Sequence, residues 1–163
     1  MRYYCSRCWA EIPGDALTCP QCGADLTDES GDVVERYIAA LRHPVPDRAG
    51  LACAMLAELG DPRAVAPLVA LIESRPRDFE LLGAAVKSLQ KLHAEAAIPA
   101  LRALLQDEQA MIPARLQALE ALVSLGGETA DSALDWADHC ERPSLQALSA
   151  ALRAHARPER SQA

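Results

Sequence analysis

Three stretches of this chain align without gaps at a spacing of 33 residues: 59–68 (LGDPRAVAPL), 92–101 (LHAEAAIPAL) and 125–134 (LGGETADSAL). The residues ahead of each keep the same offset. Ala52-Cys53, Ala85-Val86 and Ala118-Leu119 correspond, as do Leu56, Leu89 and Leu122. Apolar residues recur at helical spacing within each stretch, as at Val65, Leu68, Val69 and Ile72. A unit of this length with two amphipathic segments cannot bury its apolar face alone and must stack on its neighbours, which predicts an all-α, right-handed α-solenoid. Half the residues are apolar but only 4% are aromatic, a composition that suits stacked helices.

Local signals place the turns. Asp61 is suited to cap the helix that follows it, with Pro62 at its first position. Gly60 and the Gly126-Gly127 pair permit the left-handed turn out of the preceding helix. Pro67 and Pro99 each remove a ladder hydrogen bond early in a helix. The pattern predicts helices near 32–42, 47–59, 63–74, 78–92, 95–106, 113–125, 128–140 and 144–155. The division expected is a small module over 1–27, a solenoid over 32–155 and a frayed tail over 156–163, with the segment TDESG as a short linker.

The small module holds four of the six cysteines, Cys5, Cys8, Cys19 and Cys22, in the order Cys-x2-Cys-x10-Cys-x2-Cys. Two such pairs can close a tetrahedral shell of thiolates around one zinc ion. So short a segment buries too little apolar surface to fold alone, so the metal must supply the missing free energy. Four thiolates leave no position for water, which makes one structural Zn²⁺ the expected cofactor and a catalytic zinc unexpected. The alternative is two redox dithiols or a disulfide pair, and a redox Cys-x-x-Cys belongs in a strand–helix–strand setting that this chain lacks.

The segment 5–26, CSRCWAEIPGDALTCPQCGADL, resembles the short zinc-ribbon family in both knuckles, in the run Ala10 to Pro13, in Asp15-Ala16 and in its ending at Cys22 to Leu26. It departs at Trp9, where that family often has glycine; the second knuckle keeps Gly23. Trp9 is either an exposed recognition aromatic or part of a mini-core with Ile12 or Leu17, and the mini-core is preferred because aromatics supply much of the packing in tiny domains. The motif LGDPRAVAPLVALI resembles HEAT-like repeats of the phycobilisome-lyase type, over about 47–140 with a half-repeat at each end. That resemblance implies a scaffold binding a protein or peptide, and as the runner-up an accessory subunit of a bilin-lyase-type enzyme. HEAT-type metal hydroxylases use His-Glu pairs, and none of His43, His93, His139 and His155 precedes a glutamate.

Charge argues against nucleic acid. The chain carries a formal −7, whereas a phosphate-binding protein usually presents a basic face. In the small module Arg2 and Arg7 face Glu11, Asp15, Asp25, Asp28 and Glu29 for a net −3, so a nucleic-acid-binding ribbon is the less favoured class. No apolar h-region opens the chain and no stretch has the length of a membrane span, so a cytoplasmic protein without a membrane partner is expected.

The first helix carries Val33, Val34, Tyr37, Ile38 and Leu41 with no repeat before it, so the small module is expected to dock there as a cap. The third repeat departs from the others. Outward positions that are Ala66, Ala70, Pro99 and Ala103 become Ser132 and Trp136. The same helix holds Glu128, Asp131, Asp135 and Asp138, two of them at positions that are apolar in the earlier repeats. Because buried unpaired carboxylates are costly, this helix is expected to be rotated so that Ala130, Ala133, Leu134 and Ala137 face inward, the alternative being that the stripe opens on a pocket. Trp136 is either core or a partner anchor, and Trp9, Glu128, Asp135 and Trp136 are the candidate partner-binding residues. Asp138 and Arg142 are spaced as a helical ion pair. Cys53 and Cys140 sit at apolar helical positions and are expected to be packing residues. No residue is assigned a catalytic role.

Overall fold

The computed structural model describes residues 3–27, 32–74 and 78–156; most of the expected linker and nearly all of the expected tail lie outside the described residues. A two-stranded antiparallel hairpin, β1 (Tyr3–Tyr4) and β2 (Glu11–Ile12), opens the chain with Tyr3 opposite Ile12 and Tyr4 opposite Glu11. Eight helices follow among the described residues: α1 (Val33–Ala40), α2 (Pro46–Leu59), α3 (Val65–Glu73), α4 (Phe79–Lys91), α5 (Ile98–Gln106), α6 (Ile112–Ser124), α7 (Gly127–His139) and α8 (Pro143–Ala156). Each predicted helix is present with its ends within a few residues.

The first helix of each repeat packs on the first helix of the next, α2 on α4 and α4 on α6; α4 also packs on α3, and α6 on both α5 and α7. This is the stacking that the 33-residue period demands. The aligned positions form the core: Ala52, Cys53, Leu56, Ala85, Val86, Leu89, Ala118, Leu119 and Leu122 are all buried, as are Leu68, Leu101 and Leu134 in the second helices. At about 2–3 kcal/mol for each large apolar side chain taken from water, stacked layers of this kind supply most of the driving force. Burial pushes the Cys53 thiol up to about 12, so it stays protonated and serves as a small hydrophobe.

The turns follow the residues that code for them. Asp61 accepts from the Arg63 N–H at 2.9 Å and opens a 3₁₀ turn, Pro62–Ala64. A matching turn, Glu95–Ala97, precedes α5. Because α3 and α5 each follow a 3₁₀ turn, Pro67 and Pro99 fall within the first turn of the α-helix proper, where a missing N–H costs nothing. The left-handed exit at Gly60 (φ +67°) and Gly126 (φ +74°) recurs in the second repeat at His93 (φ +48°), a position without glycine.

Helix α7 is rotated as the cost of burying carboxylates requires. Ala130, Ala133, Leu134 and Ala137 are buried, while Asp131, Asp135 and Asp138 are exposed. Two of those acids are held by α8: Arg153 pairs with Asp135 at 2.7 Å and with Asp138 at 3.0 Å. The ion pair expected between Asp138 and Arg142 is thus replaced by one to Arg153, because α8 folds back along α7 and brings a longer-range partner closer. Ser149 completes this joint by donating to the Leu134 carbonyl at 3.3 Å.

Candidate metal centre and the pocket of the third repeat

The two cysteine pairs sit in matching backbone knuckles. In the first, Cys5 N–H donates to the Ala10 carbonyl at 3.0 Å and Trp9 N–H donates back to the Cys5 carbonyl at 3.0 Å. In the second, Cys19 N–H donates to Ala24 at 2.8 Å and Gly23 N–H to Cys19 at 2.9 Å. The hairpin carries the first knuckle, and a bridge between Thr18 and Asp25 closes the second. The knuckles face each other, so all four Sγ atoms lie within 4.8 Å of one another.

The closest sulfur pairs, Cys5 with Cys22 and Cys8 with Cys19, are 3.7 Å apart. No disulfide joins them. A tetrahedron of thiolates about 2.3 Å from a central zinc has edges of about 3.8 Å, so the sulfurs stand where such a shell would place them. Burial opposes ionisation of Cys5, but the N–H groups of Cys8 and Arg7 and the neighbouring sulfurs outweigh it and bring its pKa down to about 6. Cys8 is pushed up to about 12: the Ala10 N–H favours its thiolate, but burial and the sulfurs around it prevail. A cation among the four removes that mutual repulsion and lets all of them ionise. Cys5 and Cys19 are buried, while Cys8 and Cys22 lie nearer solvent.

Both knuckles need a left-handed residue after the second cysteine. Gly23 meets it at φ +70°, whereas Trp9 adopts φ +60° with a full side chain. Its ring lies 4.9 Å from the His43 ring, in the α1–α2 connection, and the Tyr4 ring stands edge-on to the same imidazole at 5.0 Å. The small module therefore meets the helices through Tyr4, Trp9 and His43. A mini-core of Trp9 on Leu17 does not form, since Leu17 is 70% exposed. Docking is at the α1–α2 corner and leaves part of α1 open: Val33 is exposed, and with Tyr37 it lines a groove of about 310 Å³.

The remaining candidates fall at the other end. Trp136 is half-buried on α7 and packs against the core. Asp135 points to Arg153, and Glu128 is exposed in the first turn of α7. The Arg115 guanidinium lies over the Trp136 ring, 5.8 Å from its centroid. Cys140 donates to the Ala137 carbonyl at 3.1 Å.

The profile of HEAT repeats matches residues 34–122. The chain belongs to the HEAT-repeat family. No curated protein matches the sequence. Within the HEAT repeats the outward positions of α3 and α5 are small and exposed, at Ala66, Ala70, Pro99 and Ala103. Among the described residues no helix is long and apolar enough to cross a membrane.

Sequence reasoning passed over Arg115, which is only 2% exposed. The signal was present. At the 33-residue period Arg115 aligns with Leu82 and Ala49, both buried. An arginine at an apolar core position is the departure in the third repeat with the greatest energetic consequence.

Proposed function

We propose that this protein is a non-catalytic adaptor, in which a zinc ribbon at the N-terminus is pinned to a short HEAT solenoid that binds a protein or peptide. The observation that carries the reading is the HEAT match over 34–122, since stacked helical hairpins present an extended, rigid surface and commonly mediate protein–protein contact. Zinc is the ion best suited to four thiolates at tetrahedral spacing, and a closed shell of this kind acts by holding the fold. The module's own role is then structural: it organises Tyr4 and Trp9 against His43 and ends the stack. Partner contacts are assigned to the outward faces of α3, α5 and α7, with Glu128 and Trp136 at the far end. Asp135 acts chiefly through Arg153 as part of the α7–α8 joint.

The test is capture of partners from the source cells with the full chain, set beside a variant carrying Ala66→Glu, Ala70→Glu and Ala103→Glu. All three positions are exposed, so the fold is expected to survive. A protein retained by the natural chain and lost by the variant supports the assignment. Equal capture by both would place binding elsewhere.

A further inference from the structure

Arg115 is a charged side chain in a buried place, and its surroundings account for only part of it. Its Nε donates to the Leu105 carbonyl at 2.9 Å, in the last turn of α5, where a cation also suits the helix dipole. That contact explains one nitrogen. Nη1 is buried and has no hydrogen-bond partner. Among the described ion pairs none includes Arg115. A guanidinium cannot escape the cost of burial by losing its proton, and an unmet charged donor in a dry place is among the more expensive features a fold can carry. The two preceding repeats avoid it by having Leu82 and Ala49 at the same position.

Arg115 lines a cavity of about 490 Å³ between the first turns of α6 and the C-terminal end of α7, with Trp136 as a wall. Glu108, His139, Glu141 and Arg142 stand round it. The two arginines are matched by the two glutamates, so a singly charged carboxylate is accommodated at less cost than a dianion such as phosphate, which would face both carboxylates with no surplus positive charge. The flat ring of Trp136 suits an apolar group beside the anion.

We propose that this cavity is a carboxylate-binding site built on Arg115, and that its occupant is the C-terminal carboxylate of a peptide whose last side chain packs on Trp136. The peptide source rests on the adaptor reading above; the carboxylate chemistry does not. A carboxylate in the cavity sets an opposite charge beside the guanidinium and offsets the buried charge. Trp136, already polarised by the guanidinium, supplies the apolar contact.

The test is titration of the full chain with a tetrapeptide ending in leucine, the same peptide as its C-terminal amide, sodium acetate and inorganic phosphate. Binding is read by calorimetry and by the Arg115 Nε–H resonance. The acid peptide should bind and move that resonance, with the amide roughly tenfold to hundredfold weaker. Arg115→Leu, which restores the residue of the second repeat, should abolish binding. In case that change disturbs the α5 end, Glu141→Gln and Arg142→Gln, both at exposed positions, should tighten and weaken binding respectively. Acetate binding without the peptide would uphold the carboxylate site and overturn the peptide as its source. Phosphate preferred over every carboxylate, equal binding of acid and amide, or no response to any ligand would overturn the site. The surface substitutions at Ala66, Ala70 and Ala103 lie outside this cavity, so failure of the adaptor reading and failure of this one are separable.

Discussion

Trp9 makes a prediction that runs against ordinary expectation for alanine and glycine. The residue holds φ +60°, a conformation that costs a non-glycine residue about 1–2 kcal/mol. Its half-buried ring removes roughly 100 Å² from water, worth about 2.5 kcal/mol at about 25 cal/mol/Å². Its tilted contact with His43 at 4.9 Å adds about 1 kcal/mol. Trp9→Ala loses the ring and keeps the strain, a net loss of about 3.5 kcal/mol. Trp9→Gly loses the ring but releases the strain, a net loss of about 2 kcal/mol. The order of stability should be tryptophan, then glycine, then alanine. Native-state hydrogen exchange at the Cys5 and Cys19 amides, which bond to Ala10 and Ala24, reads the opening of the module directly. If alanine matches or exceeds glycine, residue 9 is not held in the left-handed region. If all three proteins exchange alike, the ring does not anchor the module.

Two further outcomes follow from the same geometry. Chelation, or Cys19→Ser, should release one zinc per chain and unfold the knuckles while most helical circular dichroism remains, because the repeats bury their own core; global loss of helix would show that the parts fold as one unit. Burial, and then the charge of Arg48, lower the pKa of His43 below the ordinary histidine value, so the folded chain binds fewer protons there than the unfolded chain. The contribution of His43 is therefore fully present above about pH 6.5 and is lost as pH falls through the lowered folded value. The difference in stability between the natural chain and His43→Gln should shrink on acidification, and a constant difference down to pH 5 would contradict this.

The fold was legible because its information is periodic. Three copies of one pattern place the helices, the turns and the core by mutual agreement, and even the rotation of α7 followed from the cost of burying Asp131 and Asp138. The four-cysteine cluster was legible for a similar reason, since each Cys-x-x-Cys pair fixes its own knuckle locally. What escaped was long-range. Nothing near Trp9 in sequence announces His43, and nothing near Asp138 announces Arg153, because those contacts depend on how the chain returns. Arg115 is different: its alignment with Leu82 and Ala49 marks it, but only once the repeat is read for residues that violate the core as well as for those that build it.

The central claim is that the helical repeats, not the cysteine module, carry the binding surface. Its most direct measurement is hydrogen exchange across the full chain with and without a co-purified partner. The account predicts slowed exchange along α3, α5 and α7 with the module at residues 3–27 unchanged. Protection confined to residues 3–27, with the helices exchanging as in the free chain, would contradict it.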